Sequence, residues 1–95
     1  MTRAQRPQAR PDLTVVELDG EAVVYDGDNG HLHHLNKTAT VVFSLCDGTA
    51  TARELAGDIA EAFRQPTDIV ERQLRNVLRE FRRQGLLAAT TGGTR

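Results

Sequence analysis

Residues 30–43 read GHLHHLNKTATVVF, and the spacing of the apolar residues changes inside this stretch. Residues 31–35 are short enough to form one strand. Beyond Leu35 the apolar residues recur at helical spacing, and Asn36 is a residue type that caps helix N-termini well. The helical set comprises Ala39, Val42, Phe43 and Cys46. The stretch therefore predicts a strand that passes directly into a first helix, which Asp47-Gly48 ends.

Two further strands are predicted ahead of this stretch. Residues 13–18 and 22–25 are rich in Val, and the Asp19-Gly20 pair between them has the chemistry of a tight hairpin turn. Residues 26–30 form a second cluster of Asp, Gly and Asn, which are turn residues. We therefore expect the three strands to form an antiparallel meander.

Two more helices are predicted after it. Residues 51–54 match the capping-box pattern at the start of a second helix, whose end is marked by Pro66. Thr67 can cap a third helix, which Gly85 ends. The apolar positions share one face of each helix: Leu55, Ile59, Ala60 and Phe63 in the second, and Val70, Leu74, Val77, Leu78 and Phe81 in the third. Residues 86–89 are apolar and either add a short strand or cover the core.

The predicted fold class is α+β, with a three-stranded antiparallel sheet followed by three helices, similar in outline to a winged helix-turn-helix. At 95 residues the chain has room for one domain. We place that domain at residues 12–89. Residues 1–11 and 90–95 are mostly polar, with prolines in the first segment and glycines in the second, which indicates flexible tails.

Composition and charge exclude several classes of protein. The net charge is −1, which removes the strong electrostatic attraction that a generic nucleic-acid binder shows. Cys46 is the only cysteine, so neither an intramolecular disulfide nor a metal site built on a cysteine pair can form. No apolar segment follows the polar N-terminus, and no apolar run is long enough to span a membrane. We therefore expect a cytoplasmic protein.

Several segments together resemble a known family. They match it in order and spacing over about two thirds of the chain, and they are residues 30–36 at the strand-to-helix junction, Ala39, residues 45–48, residues 51–55 and residues 85–87. Through these segments the chain resembles the PqqD-like peptide chaperones. Members of this family are the recognition domains of pathways that modify ribosomally synthesised peptides.

The resemblance implies a domain that binds the leader segment of a precursor peptide. The leader is added as a strand on the edge of the sheet, beside the third helix, and the domain presents it to a radical enzyme, a cyclase or, in lasso peptide pathways, a leader peptidase. An edge strand offers unpaired N–H and C=O groups, and an adjacent helix supplies grooves for alternate side chains. Backbone pairing would therefore give affinity, and the groove would give specificity.

The predicted site combines the third strand with one edge of the third helix. In this hypothesis the backbone of residues 31–34 pairs with the leader. On the helical wheel, Ile69, Gln73, Asn76 and Glu80 flank one edge of the apolar stripe, whereas Glu71, Arg75 and Arg82 flank the other. We predict that the first edge faces the peptide, because Ile69 and the slot above Val77 would accept an apolar side chain. The predicted peptide-binding residues are then His31, Leu32, His33, His34, Ile69, Gln73, Asn76 and Val77.

Three interpretations of the strand histidines stay open. The resemblance leads us to expect aromatic or aliphatic residues at His31, His33 and His34. Imidazoles bind zinc and nickel, and His31 and His33 would share a face, but no cysteine or fixed carboxylate accompanies them. We prefer polar residues on an exposed edge. The alternative is that the rings line the peptide groove, where protonation near pH ~6.5 tunes binding. We predict no metal and no cofactor.

No residue constellation supports catalysis. Cys46 lies on the apolar face of the first helix, where a free cysteine usually acts as a small hydrophobic residue. No Ser-His-Asp arrangement, phosphate-binding glycine loop or paired-carboxylate motif is recognisable. We therefore predict that the chain is not an enzyme.

A winged-helix DNA-binding regulator is the alternative function. Its basis is the basic outer side of the third helix, which carries Arg72, Arg75, Arg79, Arg82 and Arg83. Against it stand Glu71 and Glu80 on the same helix, the net charge of −1, and acidic hairpin turns where a basic wing is needed. We therefore expect a peptide partner and a modifying enzyme or leader peptidase, with neither nucleic acid nor membrane.

Overall fold

The computed structural model describes residues 6–88 and shows a three-stranded antiparallel sheet followed by three helices. The strands are β1 (Thr14–Leu18), β2 (Glu21–Asp26) and β3 (His31–Leu35), and the helices are α1 (Lys37–Leu45), α2 (Ala52–Phe63) and α3 (Thr67–Arg83). The predicted α+β class is confirmed, and the arrangement is compatible with a winged helix-turn-helix outline.

The two turns of the sheet follow their local chemistry. Asp19 and Gly20 both have positive φ, at 56° and 81°, which is the backbone of the tight type I′ hairpin turn. Strand β2 lies in the middle and pairs with β1 on one side and β3 on the other. Alternate residues of β2, Ala22, Val24 and Asp26, are buried, so this face of the sheet carries the core.

The helices complete the core on that face. Helix α1 contacts β2, β3 and α3, and α2 packs along α3. The rings of Phe43 on α1 and Phe81 on α3 meet edge to face, with their centroids 5.6 Å apart. The predicted stripe of α3 is buried at Val70, Leu74, Leu78 and Phe81. The predicted stripe of α2 is covered only as far as Ala60, since Phe63, its last residue, is exposed.

Two of the three predicted helix caps are confirmed. Asn36 accepts a hydrogen bond from the backbone N–H of Ala39, and Thr51 and Glu54 form the reciprocal capping box. The prediction that Thr67 caps α3 is wrong. Pro66 occupies the N-cap position without a side-chain hydrogen bond, and Thr67 is already the first helical residue. The extended backbone of Pro66 suits a cap position, so α3 begins one residue earlier than expected.

Helix α3 ends at the predicted glycine. Gly85 has a φ of 75° and donates its N–H to the carbonyl of Arg82, while Leu86 donates to the carbonyl of Phe81. These two bonds define a Schellman motif, in which the residue after the glycine usually packs against the helix it has left. Leu86 is fully buried and covers the core, and Leu87 forms a single bridge with Ala9.

Residues 7–10 form an N-terminal strap, which is hydrogen bonded to the residue that ends α1 and to the segment after α3. Ala9 donates its N–H to the carbonyl of Cys46 at 2.8 Å, Arg10 donates to Leu86 at 3.0 Å, and Ala88 donates to Gln8 at 2.7 Å. Sequence analysis assigned these residues to a flexible tail, whereas the structure shows them hydrogen bonded, with Pro7 buried. The difference arises because the strap pairs with distant residues. The remaining predicted tail residues, 1–5 and 90–95, lie outside the described residues, as does Ala89.

Across residues 6–88, no helix is both long enough and apolar enough to cross a membrane.

Candidate functional site

Strand β3 lies at an edge of the sheet. It pairs with β2 on one side, and in the described part of the chain no strand pairs with its other side. An edge of this kind presents a row of backbone N–H and C=O groups without a ladder partner. The register with β2 puts His31, His33 and Leu35 on the core face of the sheet, opposite Asp26, Val24 and Ala22. Leu32 and His34 lie on the other face.

The three histidines of β3 occupy different environments. His31 is exposed, and its ring meets that of His33 edge to face, with centroids 6.1 Å apart. His33 is half-buried, and its Nε2 atom is buried without a hydrogen-bond partner among the described residues. His34 is on the outer face, with its Nε2 2.8 Å from Oε1 of Glu21. Residues 6–88 contain no group of three or more His, Cys, Asp and Glu side chains arranged to hold a metal ion.

The predicted residues of α3 lie at the border of its buried stripe. Val77 is half-buried and packs against the core, whereas Gln73 and Asn76 are exposed. Ile69 is 41% exposed, an unusual position for an isoleucine. The amide oxygen of Asn76 accepts a hydrogen bond from Arg79 at 3.0 Å. Together these residues form an edge with apolar and amide groups side by side.

The opposite edge of α3 is turned toward α2. Glu71 is half-buried and accepts a 2.6 Å hydrogen bond from Arg75, which is the main reason that the pKa of Glu71 lies below its ordinary value. Arg53 of α2 adds a smaller electrostatic contribution to the lowered pKa. Glu71 is half-buried, whereas Gln73 and Asn76 on the other edge of α3 are exposed.

Arg10 of the N-terminal strap ties the start of β3 to the end of α3. Its guanidinium donates to the carboxylate of Asp26 at 2.9 Å and to the carbonyl of Gly85 at 2.9 Å. Asp26 pairs with His31 in the sheet, and Gly85 follows the last turn of α3. The same guanidinium also binds Asp12 at 2.7 Å. Arg10 therefore links the end of β2, which pairs with the start of β3, to the residue that ends α3.

The carboxylate of Asp26 is held ionised although it is only 2% exposed. Hydrogen bonds from Arg10 and then from Asn29 place the pKa of Asp26 well below its usual range, in opposition to the effect of burial. Sequence analysis singled out neither Arg10 nor Asp26 as a structural residue. The available signal was the alternation of Ala22, Val24 and Asp26, which puts Asp26 on the buried face.

The basic side of α3 is largely engaged in intrahelical pairs. Arg75 binds Glu71, Arg79 binds Asn76, and Arg83 binds Glu80. These contacts occupy three of the five arginines on which the DNA-binding alternative depends. The geometry therefore does not favour a surface dedicated to phosphates.

Cys46 is part of the core. Its side chain is 4% exposed, and its thiol lies 3.2 Å from the carbonyl oxygen of Val42, to which it donates. Burial raises the pKa of the thiol to about 11, so it stays protonated at neutral pH. A protonated, enclosed thiol is a poor nucleophile, as expected for a packing residue.

Comparison with known proteins gives one family and two similar folds. The family model described as coenzyme PQQ synthesis protein D (PqqD) matches residues 21–87. The structure of TbiB1 in complex with the TbiA(beta) leader peptide superposes with a TM-score of 0.76 and 22% identity, over 86% of this chain and 95% of that chain. A lasso peptide synthetase B1 complexed with its leader peptide gives a TM-score of 0.75 and 19% identity, over 88% of this chain and 99% of that chain.

No curated protein matches the chain. The family match runs from the first residue of β2 to the bridge residue Leu87, so it includes strands β2 and β3, all three helices and the end of α3. It covers more than half of the chain. The resemblance inferred from the strand-to-helix junction is thereby confirmed, and the chain belongs to the PqqD family.

Proposed function

We propose that the chain binds the leader segment of a ribosomally synthesised precursor peptide and presents it to a modifying enzyme or leader peptidase during peptide natural product biosynthesis. The observation that carries the proposal is the edge of β3 that no other strand of residues 6–88 pairs with, on a strand that α1 contacts. The two structural neighbours, each described as a complex with a leader peptide, support it.

Strand addition supplies the affinity in this proposal. A leader segment in an extended conformation pairs with the backbone of residues 31–34 and becomes a fourth strand of the sheet. The backbone groups of an edge strand are the same for every ligand sequence, so this pairing tolerates variation among leaders. Binding therefore requires a segment that can extend, without proline at the positions that donate to β3.

The edge of α3 supplies specificity. Alternate side chains of an added strand point to the core face of the sheet, on the side of the helices. Ile69 and Val77 offer apolar contact there, and the amides of Gln73 and Asn76 offer hydrogen bonds. The exposure of Gln73 and Asn76, and the half-buried position of Glu71 on the opposite edge, support this choice.

The chain then acts through binding, and its partner carries out the chemistry. The side chains of β3 are three histidines and two leucines, and Cys46 is buried and protonated. A radical enzyme, a cyclase or a leader peptidase would receive the peptide in an extended, immobilised form, which lowers the entropy lost on reaching the reactive geometry.

The experiment that tests the proposal is a titration with a synthetic peptide. The peptide carries the N-terminal segment of the precursor encoded beside the gene for this chain, and a scrambled peptide of the same composition is the control. We expect a Kd in the micromolar range or tighter for the leader and at least ten times weaker binding of the scrambled peptide. Equal binding of the two peptides, or no binding, would refute the proposal. Binding to duplex DNA at low salt, weakened by Arg72→Ala and Arg82→Ala, would support the regulator instead.

A further inference from the structure

We infer that His33 selects the leader residue paired with it, and that it favours an uncharged side chain able to form a hydrogen bond, namely a hydroxyl or a carboxamide. The inference rests on the proposed function and adds to it the chemistry of one leader position. Its basis is the buried Nε2 atom of His33, for which residues 6–88 supply no hydrogen-bond partner.

An unpaired buried polar atom needs an explanation, because it costs about 1–3 kcal/mol relative to a hydrated or hydrogen-bonded one. Within residues 6–88, the ring of His33 stacks with one other ring, that of His31. The two rings meet edge to face with their centroids 6.1 Å apart. Packing alone does not require the nitrogen, since a leucine would fill the half-buried position without the cost. In this inference the partner arrives with a ligand, and the ring of His33 turns about its side-chain bonds so that Nε2, which the free protein encloses, faces the added strand.

The position of His33 matches the place where such a ligand would lie. His33 is in the middle of β3 and on the core face, directly across from Val24, which is fully buried. In a strand added to the free edge, the residue paired with His33 would project to this same face, with its Cβ about 4.5–5.5 Å from that of His33. This distance is within reach of a side-chain hydrogen bond.

The uncharged class follows from the surroundings of the ring. Arg10 contributes one positive charge next to the carboxylates of Asp12, Asp26 and Asp28, so that this cluster sums to +1 − 3 = −2. It adjoins His31 through the pairing of Asp26 with that residue. A leader carboxylate at the His33 position would be repelled by this charge and would lose hydration.

A hydroxyl or carboxamide avoids both costs. A neutral imidazole presents either a donor or an acceptor at Nε2, depending on its tautomer. Hydroxyls and carboxamides contain both a donor and an acceptor, so they satisfy either tautomer without a change of charge. Aliphatic leader side chains fit the space but leave Nε2 of His33 unpaired. The position therefore disfavours aliphatic residues relative to hydroxyls and carboxamides.

The test is a double-mutant cycle between the protein and the leader peptide. On the protein side, the variants are His33→Leu, His33→Gln and, as a matched polar-to-Leu control on the core face of the other edge strand, Glu17→Leu. On the peptide side, each Ser, Thr, Asn and Gln of the leader is replaced by Ala in turn. The Kd of every pair is measured by titration calorimetry, and thermal unfolding of each free protein variant is recorded.

We expect His33→Leu to weaken binding of the unchanged leader about tenfold, and one Ala replacement in the leader to weaken its binding to the native protein similarly. When both changes are present, the loss of binding free energy should be little larger than the loss caused by either change alone. His33→Gln should retain affinity because it keeps a hydrogen-bonding group, and Glu17→Leu should bind as the native protein does. His33→Leu should also unfold at a temperature at least as high as that of the native protein.

Two results overturn the inference, and they are distinguishable. If the native protein binds the leader but His33→Leu binds it equally well, or if no polar leader position couples to His33, the selectivity is refuted and the proposed function stands. If the native protein fails to bind the leader, the proposed function is refuted with it. Should His33→Leu fail to fold, His33→Gln and the Ala replacements tested on the native protein still decide the matter.

Discussion

The sheet has two edge strands, β1 and β3, and our proposal assigns recognition to β3. Every residue of β1 is exposed, including Leu18 at 74%, and β1 packs mainly along β2. In β3, Leu35 is 4% exposed and His33 is half-buried, because α1 covers the face on which they lie. A free edge provides backbone groups in both strands. Strand β3 also contacts α1, whereas β1 packs mainly along β2.

The largest expected difference between the edges is in stability. Leu35→Ala should lower the free energy of unfolding by about 2–5 kcal/mol, because it opens a cavity beneath β3. Leu18→Ala makes the same chemical change in β1 at an exposed site and should alter it by less than about 0.5 kcal/mol. Urea unfolding of both variants measures the contrast. Equal losses would show that β1 is buried in solution, for example against another molecule.

The second prediction concerns peptide binding at each edge. Leu32→Pro and His33→Pro test successive residues of β3, whose N–H groups point alternately to β2 and to the free edge. We expect the variant at the outward N–H to keep its fold and to bind the leader at least about 100-fold more weakly, because ladder bonds are lost. The other variant should lose stability.

Val15→Pro and Val16→Pro are the matched controls in β1. Where they keep the fold, as circular dichroism would show, they should bind the leader with native affinity. If a folded β1 variant loses binding while both β3 variants retain it, the leader uses the opposite edge. In that case the helices would not line the peptide-binding site.

A third prediction compares the turns that lead into each edge. The β2–β3 turn is held by Asp26, whose folded-state pKa is lower than its value of about 4 in an unfolded chain. The stabilisation by its ion pair with Arg10 should therefore be complete above about pH 4 and should be lost as the pH falls below it. Asp26→Asn should be less stable at pH 7 and should show a shallower loss of stability in acid.

The control lies in the β1–β2 turn. Asp19→Asn removes a carboxylate from a residue with a φ of 56°, a conformation that asparagine adopts readily. Its thermal midpoint at pH 7 should stay close to the native one. An equal loss at both turns would indicate that net charge, and not the ion pair with Arg10, determines the effect.

The smallest effect is expected for the side-chain contact between His34 of β3 and Glu21 of β2. Glu21 and His34 approach to 2.8 Å, but both side chains are largely exposed. Exposed pairs of this kind contribute little, so Glu21→Gln should change the free energy of unfolding by less than about 0.5 kcal/mol. Chemical unfolding at low and high salt would check it. A larger loss at low salt that disappears at high salt would assign the pair a structural role.

Sequence reasoning succeeded where the determinants are local. The cap at Asn36, the capping box at Thr51 and the turn at Asp19 each depend on residues within three positions of one another. The stripe of α3 follows from its periodicity. At Thr67 the local signal misled, because Pro66 beside it is also suited to a cap position.

The residues that sequence reasoning missed depend on distant partners. Arg10 meets Asp26 across 16 positions and Gly85 across 75, and no local pattern links them. The same limit applies to His33. The alternation of residues along β3 predicts the face of the sheet on which His33 lies. The burial of its Nε2 atom depends on how the helices pack over the sheet. Specificity in the proposed site is therefore a tertiary property, whereas the strand that carries it is a local one.

The strap also determines how the domain connects to other polypeptides. Gln8 and Ala88 are hydrogen bonded at 2.7 Å, and Ala9 bridges Leu87, so the two ends of the folded region emerge side by side. A domain with adjacent ends can be inserted into a surface loop of a larger protein through a single pair of connections, without distortion of either fold. The architecture is therefore equally suited to genetic fusion with an enzyme and to action as a separate subunit.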